Sequence, residues 1–323
     1  MKQVKKVERW QLAQRQSLKL DQKIIMSKER IKAWHEWFDG QVYVSFSGGL
    51  DSTVLLHLVR SVYPDVPAVF SNTGLEYAEN VRFARSIENV HEVRPDKGFR
   101  QVIREYGYPV VSKKIAQYLH EVRMSGDRDT ATKRLRMTGI RSDGTYSKMA
   151  KIPDKWLYLV DAPFKISHRC CHWLKKRPLR QASKRFGYSF VGTRADESNE
   201  RELVYLQLGC NAYQTKAPRS TPLAFWLDKD IKEYIRFFNL PYSPLYDMGY
   251  DRSGCMFCCF GVHLEKYPNR FQRMQETHPK WWNVCINRLG IGRVLEHIGV
   301  PFEMQDQQLS FFEPNYASLT VRV

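Results

Sequence analysis

The chain has 323 residues, of which 43% are hydrophobic and 26% charged, a composition typical of a globular protein that buries a large core. No apolar run approaches the roughly 20 residues that a membrane-spanning helix needs, and the N-terminal stretch lacks the apolar core of a secretory signal. We therefore expect no membrane partner and a cytoplasmic location. Seven cysteines without an export signal predict metal ligands or reactive thiols rather than disulfides.

The net charge of +17 and the isoelectric point near 9.5 predict a polyanionic partner or substrate. A nucleotide meets this expectation, and so does a nucleic acid such as DNA or tRNA. The alternative is a solvated basic surface without a partner, because composition alone does not place the charges on one face.

Strand-like and helical patterns alternate along the first part of the chain. Strands are predicted at 42–46, 67–71, 90–93 and 188–191, and helices at 21–38, 78–87, 98–107 and from Asp228 onward. This alternation predicts an α/β fold in which helices cover both faces of a twisted parallel sheet, followed by a helical C-terminal part. Ligands of such sheets bind beyond the carboxyl ends of the strands.

The pattern divides the chain into an N-terminal helical segment (1–40), a nucleotide-binding domain (41–261) and an aromatic-rich helical region (262–323). Residues 123–155 interrupt the alternation, with few large apolar residues and more basic than acidic groups. This composition predicts a flexible insertion. A mobile basic loop that contacts nucleic acid is the alternative.

The sequence SGGLDS (47–52) follows the first predicted strand and begins a helix. Gly48 and Gly49 permit positive φ and a close approach of the backbone to a ligand. The backbone N–H groups of the turn and the N-terminus of the helix can bind an anion. Ser47 and Ser52 add hydroxyl donors, and Asp51 can cap the helix or bind Mg²⁺. The alternative is a tight turn in which these side chains serve only as caps.

SGGLDS resembles the SGGxDS signature of the PP-loop ATP pyrophosphatases, and the region from about 40 to 265 resembles their phosphoadenosine phosphosulfate (PAPS) reductase-like branch. The resemblance implies a Rossmann-like fold of the adenine nucleotide alpha hydrolase type. It implies that the signature holds the pyrophosphate of ATP, with Mg²⁺. Leu50 stands where ATP-using members often have lysine. FSNTGLEY (70–77) resembles the second family motif, with Asn72 in place of an aspartate.

The resemblance also assigns the nucleotide site. The implied nucleotide-binding residues are Ser45, Ser47, Gly48, Gly49, Leu50, Asp51, Ser52, Asn72, Thr73, Gly74, Arg194 and Arg201.

Adjacent Cys170 and Cys171 are followed much later by Cys255 and Cys258. Four thiolates suit Zn²⁺ or an iron–sulfur cluster, although adjacent cysteines are awkward in a zinc knuckle because neighbouring side chains diverge. The spacing CC…CxxC resembles the 4Fe–4S site of adenosine phosphosulfate (APS) reductases and their relatives, which implies that these four cysteines hold a 4Fe–4S cluster. Zinc and the absence of a metal are the alternatives. Cys259 could replace a ligand or pack in the core.

Lys175 lies where the resembling proteins have a lysine between cluster and nucleotide phosphates. GTRADES (192–198) resembles their Gly-x-Arg-x-x-Ser loop, in which the arginine faces the substrate, with Arg201 behind it. The implied catalytic residues are Asp51, Lys175 and Arg194. For each basic residue, a surface salt bridge is the alternative reading.

APS and PAPS reductases use a cysteine in a C-terminal tail, whereas the last cysteine here is Cys285. A nucleophilic thiolate must be accessible and activated, and Cys285 shows no sign of either. Cys259 could in principle take this role, but it lies directly beside the expected cluster ligand Cys258. The leading hypothesis is therefore ATP pyrophosphatase chemistry, or adenylyl transfer, coupled to sulfur transfer, with a nucleic acid as a candidate acceptor. It calls for a sulfur-donor or partner protein. The alternatives are a sulfonucleotide reductase that produces sulfite, and a non-catalytic nucleic-acid-binding or redox-sensing module.

Overall fold

The computed structural model describes residues 7–304, and the chain divides into two compact units, Met1–Phe260 and Gly261–Val323. The three-part division made from the sequence stays a prediction. Its outermost parts, residues 1–6 and 305–323, lie outside the described residues.

The first unit alternates strands and helices. Its strands are β1 (Val42–Phe46), β2 (Ala68–Ser71), β3 (Val90–Val93), β4 (Val110–Val111), β5 (Tyr188–Val191), β6 (Asn211–Ala212), β7 (Arg219–Ser220) and β8 (Cys259–Phe260). Its α-helices are α1 (Arg9–Ser17), α2 (Leu20–Trp37), α3 (Leu50–Arg60), α4 (Ala78–Ser86), α5 (Phe99–Glu105), α6 (Lys113–Ser125), α7 (Ala131–Thr138), α8 (Arg177–Phe186), α9 (Asn199–Leu208) and α10 (Asp228–Phe237).

Six strands form one sheet in the order β3-β2-β1-β5-β7-β6, and β4 pairs with β8 in a separate parallel ladder. The pairs of β1 with β2 and β5 are parallel, so that Val44 lies between Ala68 and Phe190. The predicted parallel sheet is confirmed. The antiparallel pair of β6 with β7 at one edge was not predicted, because two-residue strands leave no periodic pattern in the sequence.

Helices cover both faces of the sheet, as predicted. Successive residues of a strand point to opposite faces. On one face, Val44 belongs to the main core together with Leu55 of α3, and on the other face Tyr43 and Val69 pack against Ala182 of α8. The β-branched and aromatic residues of β1 therefore contribute to two apolar layers, which explains why the strand reads as an almost continuous apolar run.

The strand order reverses beside β1. Strands β2 and β3 lie on one side of β1, and β5 and β7 lie on the other. Such a reversal leaves a crevice outside the carboxyl ends of the two central strands, where ligands of open α/β sheets bind. The turn 47–52 follows β1 and the loop 192–198 follows β5, so the fold brings both predicted motifs to this crevice.

A buried ion pair ties α2 to α10. The Nζ atom of Lys23 lies 2.5 Å from Asp230 Oδ2 and donates to the carbonyl oxygen of Gln16 at 2.8 Å. Both side chains are inaccessible to solvent or nearly so. Removing one partner would leave a buried, uncompensated charge, at a cost of about 3–5 kcal/mol.

The segment predicted as a flexible insertion is instead ordered around α6 and α7. Thr130 caps α7 by accepting from the backbone N–H of Lys133 at 3.1 Å, and Gly139 ends the helix with φ 82°. Arg136 donates to Glu121 of α6 at 2.7 Å. The prediction relied on the low apolar content of this segment. Helix caps and arginine hydrogen bonds hold the segment together here, whereas apolar side chains contribute little.

The second unit is helical in its described part, which confirms the predicted helical C-terminal region. It contains α11 (Arg270–Thr277), α12 (Pro279–Asn283), α13 (Ile291–His297) and a π-helical turn over Val284–Arg288. Its core includes Phe271, Met274 and Ile291, and Cys285 is completely buried.

Candidate functional site

Residues 47–52, which we call the phosphate turn after their predicted role, bend the chain sharply between β1 and α3. Gly48 has φ 74°, a conformation that favours glycine, and the turn packs closely against Asn80 of α4. Gly49 has φ −83°, so the expected positive φ applies to Gly48 alone. The hydroxyl groups of Ser47 and Ser52 lie 3.1 Å apart, and Ser52 donates to the Gly49 carbonyl at 2.9 Å. The turn is thus held by its own serines.

Two residues that sequence analysis did not assign reach the turn from the segment before Cys255. The backbone N–H of Leu50 donates to the Tyr246 hydroxyl at 3.1 Å. A Cβ atom at Gly49 would lie 2.7 Å from Ser253 Oγ, so a side chain at this position would force the Ser253 hydroxyl to move. Burial raises the pKa of Tyr246, although its hydrogen bond with Ser253 acts in the opposite direction. The stretch PYSPLYDMGYDRSGC (241–255) was the signal that could have identified both.

The loop after β5 packs directly on the turn. A Cβ atom at Gly192 would lie 3.1 Å from the carbonyl carbon of Asp51, so only glycine fits without displacement. The guanidinium of Arg194 contacts three carboxylates: Nε donates to Asp51, one terminal nitrogen binds Asp196 at 2.7 Å, and the other lies 3.5 Å from Asp228. Arg194 is therefore placed at the turn, but its nitrogens are engaged by protein carboxylates rather than directed to an open position.

Asp51 experiences opposing influences. Burial raises the pKa of its carboxyl group, whereas the guanidinium of Arg194 lowers it. The net direction is upward, because burial is the largest influence on this pKa, and the carboxylates of Asp196 and Asp228 add a smaller upward contribution. Arg201 forms an ion pair with Glu197 and interacts electrostatically with Asp51 and Arg194, which places it at the edge of this charge cluster. Burial lowers the pKa of Arg201.

Ser45 lies inside β1, between Val69 and Val191 of the neighbouring strands, two residues before the turn. It belongs to the sheet rather than to the turn itself. The remaining predicted nucleotide-binding residues lie in the loop after β2.

In that loop, the side chain of Asn72 makes two hydrogen bonds. Its Nδ2 donates to Glu92 at 3.0 Å and its Oδ1 accepts from the Gly74 N–H at 3.0 Å. Thr73 binds Glu76 through both its backbone N–H, at 2.7 Å, and its hydroxyl. Glu76 is a third residue that sequence analysis did not assign, although it stands inside the quoted motif. Its carboxylate organises the loop.

The four predicted cluster ligands line one cavity. Cys170 and Cys171 precede a π-helical turn over His172–Lys176, and Cys255 and Cys258 lie in the loop before β8. The other lining residues are Leu75, Phe99, Pro109, Leu174, Lys175 and Phe257. The walls are therefore apolar except for the cysteines and a single lysine. Cys210, Cys259 and Cys285 are buried outside this lining.

Charge in the cavity is concentrated on Lys175 and the thiols. The Cys255 thiolate, and then Glu76, raise the pKa of Lys175. The hydrogen bond from Cys170, together with Lys113 and other lysines, lowers the pKa of Cys171 to about 6. Burial raises the pKa of Cys255 to about 11, against the pull of Lys175. The lysines thus favour the thiolate of Cys171, the form that binds metals. The hydrogen bond with Cys171, followed by burial, raises the pKa of Cys170, so Cys170 and Cys255 favour the neutral thiol in the absence of a metal.

The donor set of the cavity consists of four thiols, which serve as ligands both to zinc and to iron–sulfur clusters. Among residues 7–304, no three His, Cys, Asp or Glu side chains converge closely enough to hold one metal ion. Zinc requires its ligands within about 2.0–2.3 Å of one point. The irons of a 4Fe–4S cluster take one cysteine each, so four thiols spaced around an apolar cavity suit it.

The cysteine cavity and the loop after β2 are directly connected. Lys175 Nζ lies 3.8 Å from Glu76 Oε1, and the Met256 N–H donates to the Leu75 carbonyl at 2.8 Å. The structure thus joins Lys175 to the Thr73 region. Arg194 and Asp51 form a separate charge cluster at the turn.

Asn80 of α4 is completely buried against Gly48, and both polar atoms of its side chain have no hydrogen-bond partner among the described residues. Buried amides in native proteins are nearly always paired. An unpaired amide beneath the phosphate turn is therefore a group that a bound water or a rearrangement of the turn would satisfy. Sequence patterns offer no signal for it.

The profile of the family described as the phosphoadenosine phosphosulfate reductase domain matches residues 41–153 and 145–260. The chain therefore belongs to this family. PAPS reductase from Vibrio parahaemolyticus serotype O3:K6 is 24% identical over 233 residues, which cover 70% of this chain and 69% of that protein.

Two uncharacterized proteins of Methanocaldococcus jannaschii are 24% and 26% identical to this chain. The matches cover 80% and 79% of this chain, but only 51% and 43% of those proteins, so the chain spans about half the length of these relatives.

Two solved structures are also similar. PAPS reductase from Candida auris, in a phosphate complex, has a TM-score of 0.42 at 15% identity and covers 77% of this chain and 96% of that one. A U34-tRNA thiolase from Methanococcus maripaludis, with its 4Fe–4S cluster, has a TM-score of 0.36 at 16% identity and covers 91% and 86%. None of the helices within residues 7–304 is both long and apolar enough to span a membrane.

Proposed function

We propose that this member of the PAPS reductase domain family binds ATP at the phosphate turn, transfers its adenylyl group to an acceptor and releases pyrophosphate. A 4Fe–4S cluster would be held by Cys170, Cys171, Cys255 and Cys258. The observation that carries the proposal is the ion pair of Lys175 with Glu76, at 3.8 Å. It joins the cysteine cavity to the loop that leaves the sheet beside the phosphate turn.

The turn would bind the phosphates through backbone donors and the N-terminus of α3. The N–H of Leu50 donates to the Tyr246 hydroxyl in this structure. When the nucleotide binds, a phosphate oxygen would replace that hydroxyl as the acceptor. Leu50 offers no cationic side chain, so the charge of the phosphates would fall to Lys175 and Arg201. Asp51 would bind Mg²⁺, which is usually held by one or two carboxylates together with substrate phosphates.

Arg194 would act by orienting Asp51, since its guanidinium already binds that carboxylate and Asp196. Asp51 would hold the Mg²⁺ ion, and Arg194, which donates to that carboxylate, would be positioned beside the bound phosphates. This gives Arg194 a role at the transition state, where developing charge on the phosphate oxygens must be stabilised.

In the reaction, an acceptor oxygen attacks the α-phosphorus, its proton passes to solvent, and pyrophosphate leaves with the electrons of the broken P–O bond. A sulfide sulfur then displaces AMP from the acceptor carbon, so the exchange of oxygen for sulfur is redox-neutral. A 4Fe–4S cluster held by the four cysteines would supply iron near the reacting groups, and the redox-neutral exchange would take no electrons from it. Lys175 would offset the negative charge of thiolates and phosphates.

The test is pyrophosphate release from ATP by anaerobically purified, iron-loaded protein, with DNA or tRNA added. Asp51→Ala should abolish release because it removes the carboxylate that would bind Mg²⁺. Asp228→Asn is the matched control: its carboxylate touches the same guanidinium, at 3.5 Å, but is exposed. Release by Asp51→Ala at the wild-type rate, or no release with any acceptor, would refute the proposal.

A second candidate is sulfonucleotide reduction, which the similarity to PAPS reductase from Vibrio parahaemolyticus favours. It needs an accessible thiolate outside the cluster set. Cys259 and Cys285 are both completely buried, which argues for the first proposal. Sulfite release from APS or PAPS with thioredoxin, lost in Cys259→Ser or Cys285→Ser, would reverse this preference.

A further inference from the structure

A basic surface built on two aromatic rings lies beside the cysteine cavity. Tyr106 and Trp173 stack with ring centroids 5.6 Å apart and planes 23° from parallel. Lys97 Nζ lies 4.5 Å from the Trp173 centroid, and the guanidinium carbon of Arg177 lies 4.9 Å from it. The guanidinium carbon of Arg169 lies 5.7 Å from the Tyr106 centroid. We call these five residues the Trp173 surface.

Two segments of the chain form this surface: residues 97–106, which include α5, and residues 169–177, which run from just before the cysteine pair to the start of α8. Lys97 precedes α5, Arg169 precedes the first cysteine pair, and Arg177 begins α8. The rings are half-buried while Arg169 and Arg177 are exposed. A cation held over an aromatic face loses much of the freedom of a surface side chain. The surface therefore presents fixed positive charges rather than mobile ones.

The surface keeps an excess of positive charge. Asp96 pairs with Arg177 at 3.1 Å and Glu105 pairs with Lys97. Arg169 makes no ion pair with a carboxylate within residues 7–304. The exposed side chains of Lys176 and Arg180 add further cations. After burial, these two residues together with Arg169 and Arg177 lower the pKa of His172, so all four cations lie near it. Two carboxylates thus face five cationic side chains.

One short element connects the surface to the cavity. In the π-helical turn over His172–Lys176, Leu174 and Lys175 line the cysteine cavity, whereas Trp173 belongs to the surface. A molecule bound on Trp173 is therefore one residue away, along the same helical turn, from the cavity wall.

We propose that the Trp173 surface binds a single-stranded segment of nucleic acid, with phosphates on Arg169 and Arg177 and a base against the aromatic pair. Fixed cations combined with stacked aromatic rings are the features by which proteins bind single strands without strong sequence preference. The net charge of +17 agrees with a polyanionic partner. That this strand is the sulfur acceptor rests on the proposed function; the binding itself does not.

The first test measures the anisotropy of fluorescein-labelled single-stranded RNA and DNA oligonucleotides with iron-loaded protein over a range of salt. Arg177→Glu with Arg180→Glu reverses two exposed charges on α8. We expect the affinity for the oligonucleotide to fall at least roughly tenfold. The slope of the logarithm of the binding constant against the logarithm of the salt concentration should become smaller by about 0.7 for each lost phosphate contact. The matched control, Arg9→Glu with Lys32→Glu, makes the same charge change at exposed positions of α1 and α2 and should retain binding. Equal losses in both double variants would overturn the proposal.

A second variant tests stacking. Trp173→Leu should weaken single-strand binding roughly 5- to 100-fold, the range measured for loss of one stacked base, with iron content unchanged as a control for folding. Unchanged affinity of Trp173→Leu would show that no base stacks on the Trp173 surface. The RNA and DNA arms identify the kind of strand. Polyglutamate that competes as well as an oligonucleotide would overturn the assignment to nucleic acid.

The two proposals fail separately. If the surface variants lose oligonucleotide binding and no mixture releases pyrophosphate, the proposed enzymatic function is refuted and the proposed binding surface stands. If the protein releases pyrophosphate and substitutions at Arg177, Arg180 and Trp173 leave oligonucleotide binding unchanged, the proposed binding surface is refuted and the proposed enzymatic function stands.

Discussion

The phosphate turn and the cysteine cavity differ in how the chain builds them. The turn is a contiguous stretch, residues 47–52, closed by hydrogen bonds among its own serines and backbone groups. The cavity takes its thiols from two cysteine pairs far apart in sequence and its walls from apolar side chains of several elements. The turn is therefore a local feature, whereas the cavity exists only when the fold is complete.

The two regions also differ in charge. The cavity contains one cation, Lys175, among thiols in apolar surroundings, so each charge there interacts strongly. At the turn, Arg194 is shared among three carboxylates. Variants should consequently separate metal retention at the cavity from nucleotide chemistry at the turn, and Glu76 should affect the link between them.

The largest effect is expected at the cavity. Cys255→Ser should lose the bound iron, because serine does not replace a thiolate ligand to a cluster. Iron and sulfide per chain after anaerobic purification measure this. Cys210→Ser, a buried cysteine outside the cavity lining, is the control and should keep its iron. Full iron content in Cys255→Ser would mean that the cavity is not the metal site.

Glu76→Gln should act on the link. The variant keeps an acceptor for Thr73 but removes the negative charge that faces Lys175, and a hydrogen bond to a charged group contributes about 1.5–3 kcal/mol. We expect ATP affinity to fall at least roughly tenfold, with iron retained. Calorimetric titration with ATP measures it, and Glu88→Gln, an exposed carboxylate after α4, is the control. Loss of iron together with affinity would show that the regions cannot be separated.

Glu92→Gln should reduce stability in a pH-dependent way. Hydrogen bonds from Arg85, then Arg94 and Asn72, lower the pKa of Glu92 from 4.5 to about 2. The ionised form therefore stabilises the fold above pH 4.5, and this contribution is lost as the pH falls toward 2. Because the side chain is partly exposed, we expect about 1–3 kcal/mol at neutral pH. Urea unfolding across that range should show wild type converging on the variant in acid; parallel curves would contradict the assignment.

The smallest effect is expected at Asn80, and its sign is opposite. Asn80→Leu replaces a buried amide without partners by an apolar side chain of similar size, so the free energy of unfolding should rise by about 1 kcal/mol. Thermal unfolding without ligand measures this, and Asn80→Asp, which buries a charge, should be destabilised. A decrease in Asn80→Leu would mean that the amide is paired in solution.

Sequence patterns located β1, β3 and β5 at their observed residues. Strand β1 carries the apolar run of a buried parallel strand, whereas all four residues of β3 are half-buried and its sequence includes His91 and Glu92. The patterns missed the paired two-residue strands and the order around α7. The reason is that these elements depend on partners elsewhere in the chain, such as the Arg136–Glu121 hydrogen bond, and not on their own composition.

By itself, the sequence determined the phosphate turn, the cysteine pairs and the alternation that makes a parallel sheet, since each is written in neighbouring residues. Only the tertiary structure decided that Tyr246 binds the Leu50 N–H, that Arg194 is engaged by Asp51, and that Glu76 meets Lys175. These pairs are separated by 196, 143 and about 100 residues, and their contacts follow from strand order and helix packing rather than from local preference.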